Sequence, residues 1–173
     1  MVSIAKSSFT IVVAGIGNPL LRDDTAGLHA IAAVERRLLS AGICNVVCKE
    51  LFCGGFDLLS ELASFSRAII IDCLCDGETM PGEYKRFSVS VKDLQTQNHR
   101  PLAAGHGIDL AAVLMAGASC GYDMPDPVIV YGIGAADVTT FDEKPSELVL
   151  ETIERVADKI FEEINLSNYN LNF

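Results

Sequence analysis

Four side chains in this sequence have the types and placements that metal-assisted chemistry needs. Asp23 and Asp24 fall in a turn after an apolar run, Asp72 follows Ile69-Ile70-Ile71, and His106 lies between two glycines. Two carboxylates and one imidazole can bind a divalent ion and still leave positions open for water or substrate. Each residue also has a plainer reading. Asp is a preferred N-cap, so one of Asp23 and Asp24 can serve only to cap a helix, although a helix has a single N-cap. Asp72 can close its strand as an Asx-turn residue, and His106 can be an ordinary loop histidine. His29, inside a helical pattern, and His99, in a polar stretch, read as structural or solvated.

The elements that must position these groups follow from hydrophobic periodicity. Residues 9–16 form a continuous apolar, β-branched run that suits a strand buried on both faces. A Gly-Ile-Gly-Asn-Pro turn containing Asn18 leads into a helix with Gly27, Ile31, Val34 and Leu38 at three- and four-residue steps, stopped by Gly42. A second strand covers 44–51, a short helix 56–65, and a buried strand 68–72, which ends in the carboxylate of Asp72. Alternation over 83–91 predicts a half-exposed strand, 92–107 reads as loop, 109–118 as helix and 128–133 as the last strand. Pro145 opens a final helix whose stripe is Val149, Ile153, Val156, Ile160 and Ile164.

The order β-α-β-α-β-β-α-β-α predicts a three-layer α/β/α sandwich around a mostly parallel twisted sheet. We read residues 1–173 as one domain with its core over 9–164 and a frayed tail over 165–173. In such sheets ligands bind beyond the carboxyl ends of the strands, where strand order reverses. That rule sends Asp24, Asp72 and His106 to one crevice. Asp24 and His106 also directly precede helices, whose unpaired N–H groups favour an ionised carboxylate and a neutral imidazole.

Composition narrows the classes. The 173 residues carry 13 Lys+Arg against 23 Asp+Glu, a net charge of −10, which argues against nucleic acid or an anionic membrane surface as partner. Half the residues are apolar, which excludes whole-chain disorder, yet the apolar runs are too short to span a bilayer. The opening residues lack the pattern of a signal peptide, so the expected location is cytoplasmic. The six cysteines, Cys44, Cys48, Cys53, Cys73, Cys75 and Cys120, include no Cys-x-x-Cys pair and read as free buried thiols. Gly15-Ile-Gly17-Asn-Pro-Leu20 lacks the third glycine of a dinucleotide fingerprint, and the following aspartates would repel a pyrophosphate.

The segment Gly15-Ile-Gly-Asn-Pro-Leu-Leu-Arg-Asp-Asp-Thr-Ala-Gly27 resembles the opening Gly-x-Gly-Asn-x-Leu-x-x-Asp-Asp/Glu-x-x-Gly signature of the nickel–iron hydrogenase maturation endopeptidases. The resemblance continues in order through Cys53-Gly54-Gly55, Ile71-Asp72, Asp76-Gly77 with Pro81-Gly82, Gly105-His106-Gly107 and Tyr131-Gly132-Ile133, and covers residues 9–164. It implies a three-layer α/β/α protease that removes a C-terminal extension from a hydrogenase large-subunit precursor after nickel insertion. By position, Asp24, Asp72 and His106 are the metal-contacting set, with Asn18, Gly54 and Gly55 on the substrate side. The nickel is implied to arrive with the precursor rather than to reside in the enzyme, which is expected to be a monomer that meets its partner transiently. Two residues depart from the pattern: Asp24 stands where many members carry Glu, and Cys53 where several carry Asp. Nothing fixes a base beside Cys53, so it is not assigned as a nucleophile. Two other classes would use the same residues: a nickel carrier that cleaves nothing, and a hydrolase of the same fold with another peptide substrate.

Overall fold

The computed structural model describes residues 11–52, 55, 57–94 and 110–169. The chain runs through β1 (Ile11–Ile16), one 3-10 turn (Arg22–Thr25), α1 (Ala26–Ser40), β2 (Val46–Leu51), α2 (Asp57–Leu62), β3 (Arg67–Leu74), β4 (Tyr84–Val89), α3 (Val91–Leu94), α4 (Leu110–Ser119), β5 (Val128–Gly134) and α5 (Glu147–Tyr169). These strands form one sheet in the order β2-β1-β3-β5-β4. β2, β1, β3 and β5 pair in parallel, and β4 closes one edge antiparallel to β5.

Helices cover both faces, which is why β1, β3 and β5 are near-continuous apolar runs with almost no exposed position. Successive strand residues feed different cores. Ile11, Val13, Ile69, Ile71, Cys73, Ile129 and Tyr131 pack with Ile31, Val34 and Leu38 of α1 and with the expected stripe of α5. Val12, Ala14, Ile16, Ile70 and Val130 pack with Leu58 and Leu62 of α2 and with Leu110, Val113 and Leu114 of α4. The three-layer α/β/α architecture is therefore observed as expected. No helix among the described residues is long and apolar enough to cross a membrane.

Several boundaries differ from the sequence reading. β3 does not stop at Asp72; its ladder with β5 persists through Leu74↔Gly134, so Asp72 lies inside the paired segment, opposite Gly132. The strand expected over 83–91 ends at Val89, and Val91 already belongs to α3. The last helix continues to Tyr169 instead of fraying after residue 164. Its final turns are tied to the sheet: Arg67 at the start of β3 donates to Ser167 Oγ at 3.0 Å, and that hydroxyl donates to the Glu163 carbonyl at 2.9 Å. Glu163 itself accepts from Arg86 Nη2 at 2.9 Å and from the Tyr131 hydroxyl at 2.9 Å. Of the loop expected over 92–107, residues 92–94 belong to α3 instead; residues 9 and 10, 95–107 and the last four residues of the tail lie outside the described residues.

Candidate active site

Three glycines decide how the first helix meets the sheet. A Cβ on Gly27 would sit 2.1 Å from the Ile16 carbonyl oxygen and 2.6 Å from that of Ile71. A Cβ on Gly15 would meet the Gly27 carbonyl at 2.1 Å, and one on Gly17 the Asp24 carbonyl at 2.2 Å. Only hydrogen fits at these positions, so the start of α1 lies directly on the backbones of β1 and β3. The spacing Gly15, Gly17, Gly27 is thus a packing code that draws the turn carrying Asp24 toward β3.

β1 connects outward to β2, whereas β3 leads toward β5 and β4, so strand order reverses between β1 and β3. At the carboxyl ends of these two strands lie Asp24, 7% exposed, and Asp72, fully buried. Cys73 touches both. Its backbone N–H donates to Asp72 Oδ1 at 2.8 Å, and its thiol donates to Asp24 Oδ1 at 2.9 Å. Burial, then the Asp72 charge and the hydrogen bond to Asp24, push the Cys73 thiol well above its ordinary range, so it is protonated and acts as a donor. The neighbouring Cys75 is exposed, and its thiol is also raised, by burial and by the charges of Asp24, Asp23, Asp72 and Asp76. This corner of the molecule is strongly negative and suits a cation.

The remaining expected residues fall as follows. Asp23, fully buried, caps no helix. Thr25 is the N-cap of α1 and Leu21 that of the 3-10 turn, and neither makes a side-chain cap bond. Asp23 instead accepts three backbone N–H groups from the segment after β5: Ala136 at 2.9 Å, Asp137 at 3.0 Å and Ser146 at 2.7 Å. Arg22 reinforces the same junction through ion pairs with Asp137 and Asp142. The Asn18 side chain accepts the Leu20 N–H at 3.0 Å and shapes the turn after β1. Gly55 is exposed at φ +63°, a conformation that favours glycine, and a Cβ there would meet nothing. His29 is exposed, and its Nε2–H donates to the Glu143 carbonyl at 3.1 Å, which fits the structural reading. His106, His99, Cys53 and Gly54 lie outside the described residues.

Among the described residues, Asp24 and Asp72 each contact Cys73, but no set of three His, Cys, Asp or Glu side chains is arranged to hold a metal ion. Two buried carboxylates are suitable hard donors for a divalent ion, and a complete site needs a further ligand. The cysteine reading needs correction: Cys44, Cys75 and Cys120 are exposed and Cys48 is half-buried, leaving Cys73 as the buried thiol among the five described. The role of Cys73 was missed. Its one sequence signal was its position next to an aspartate at the end of a buried strand.

The class defined so far is a doubly covered, mostly parallel α/β sandwich with two buried carboxylates, Asp24 and Asp72, each in contact with Cys73 near the end of β3. The same fold occurs in solved hydrogenase maturation proteases. The hydrogenase maturating endopeptidase HybD from E. coli matches with a TM-score of 0.71 at 23% identity, over 92% of this chain and 94% of HybD. A hydrogenase 2 maturation peptidase from a Thaumarchaeota archaeon matches with a TM-score of 0.63 at 23% identity, over 91% of this chain and 99% of that one. The NiFe hydrogenase maturation protease HybD from Thermococcus kodakarensis matches at 0.62 and 23% identity, over 90% and 99%. No protein-family model and no curated protein matches the chain. The protein therefore has the fold of the hydrogenase maturation endopeptidases.

Proposed function

We propose that this protein is an endopeptidase that removes the C-terminal extension of a nickel–iron hydrogenase large-subunit precursor once nickel has been inserted. The observation that carries this reading is the meeting of Asp24 and Asp72 at Cys73, on a fold shared with proteins named as hydrogenase maturation endopeptidases. Nickel enters as part of the substrate and supplies Lewis acidity toward the scissile carbonyl or an attacking water. Asp24 and Asp72 offer carboxylate oxygens to that ion, and His106 supplies the imidazole ligand. Asp72, held by the Cys73 N–H, keeps its orientation while the precursor docks. The turn at Asn18 and the glycines at 54 and 55 flank the extension, glycine admitting an extended backbone at close range. The enzyme works in the cytoplasm as a monomer and releases the processed subunit.

The test uses purified protein with nickel-loaded and nickel-free precursor, with the extension followed by mass spectrometry. Its release from the loaded precursor alone supports the reading. Asp72→Asn and Asp24→Asn, close in volume to the originals, should each lower cleavage at least about 100-fold, the size of one strong transition-state interaction. Both should fold as judged by circular dichroism. Tight nickel uptake with no cleavage would identify a carrier instead, and cleavage only of other peptides would identify a different hydrolase.

A further inference from the structure

We infer that Cys73 is a positioning residue of this site, its thiol setting the orientation of the Asp24 carboxylate beside the strand that carries Asp72. The inference rests on the peptidase reading above but on different atoms. Two segments 49 residues apart in sequence are joined by the Cys73 thiol at 2.9 Å from Asp24 Oδ1, while the same residue's N–H holds Asp72 Oδ1 at 2.8 Å.

Cys73 is well suited to that task. It is 1% exposed, and its backbone is fixed in β3 by pairing with Ile133 of β5. Strand alternation sends its side chain to the α1 and α5 side, where the turn carrying Asp24 lies. A hydrogen bond to one carboxylate oxygen restricts rotation of the group and so biases the direction in which the other oxygen presents its lone pairs. Alanine would fill most of the space but donate nothing. Valine would fill it and donate nothing. Serine would keep a donor at shorter reach.

The experiment compares wild type with Cys73→Ala, Cys73→Val and Cys73→Ser on nickel-loaded precursor, together with the infrared S–H stretching band assigned by its loss in Cys73→Ala. Cys73→Ala and Cys73→Val should lower kcat about tenfold to a hundredfold with KM little changed, the effect of losing a hydrogen bond to a charged group. Cys73→Ser should recover most of that loss. In the wild type the S–H band should lie at lower frequency than that of a free thiol and move up in Asp24→Asn. Wild-type kcat in both apolar variants, or a band unmoved by Asp24→Asn, overturns the inference while leaving the peptidase reading intact. A wild-type protein that cleaves no loaded precursor overturns both, and the band then reports a hydrogen bond with no reaction to serve.

Discussion

Gly27 in the first turn of α1 stands against Ile71 of β3 with no room for a side chain, since a Cβ would project to 2.6 Å from the Ile71 carbonyl oxygen. α1, which follows directly on the turn carrying Asp24, is therefore in backbone contact with β3, the strand that carries Asp72.

Gly27→Ala forces α1 away from two carbonyl groups that belong to rigid parallel strands. Overpacking against backbone lies at the upper end of such costs, and we expect a loss of about 3 kcal/mol or more in urea denaturation. A variant of unchanged stability would show that the helix start is not seated as described.

Asp23 separates stability from chemistry. Asp23→Ala strands three backbone N–H groups, and because solvent reaches part of the junction the expected loss is about 2–4 kcal/mol, with Asp23→Asn intermediate. Cleavage by the folded fraction should persist. The check is a denaturation curve paired with the precursor assay, and full stability in Asp23→Ala would remove the anchoring role.

Tyr131 gives an alkaline prediction. Burial, then the neighbouring Glu163 carboxylate, push its phenol up to about 12 from about 10. A group whose pKa is raised by folding contributes stability that is complete below the unfolded value and lost as pH rises through the folded one. Stability should therefore decline between pH about 10 and about 12, and the decline should be shallower in Tyr131→Phe. Lysines titrate in the same range, so the quantity to measure is the difference between the two proteins. Parallel slopes would contradict the buried Tyr131–Glu163 contact.

Much of the architecture was legible because strands buried on both faces read as unbroken apolar runs and helices as three- and four-residue stripes. That pattern, with the rule for open parallel sheets, pointed to the carboxyl ends of the strands as the place of Asp24 and Asp72. The helix-cap reading of Asp23 failed because capping is a local preference. The groups that satisfy Asp23 lie 113 to 123 residues away, in a segment no local pattern connects to it. The thiol bridge was hidden for a related reason. Cutting β3 at Asp72 left residue 73 in a loop with no defined facing, and only the ladder to Gly134 assigns it a side. Polar residues at 165–169 looked like a loose end because the partner that holds them, Arg67, is a hundred positions earlier than Ser167.

The anchoring of Ala136, Asp137 and Ser146 on Asp23 means that the turn holding Asp24 is braced by chain made much later. A nascent polypeptide still missing that stretch has its acidic turn but not the brace. The acidic turn is thus fully anchored only after residues 136–146 have folded against it.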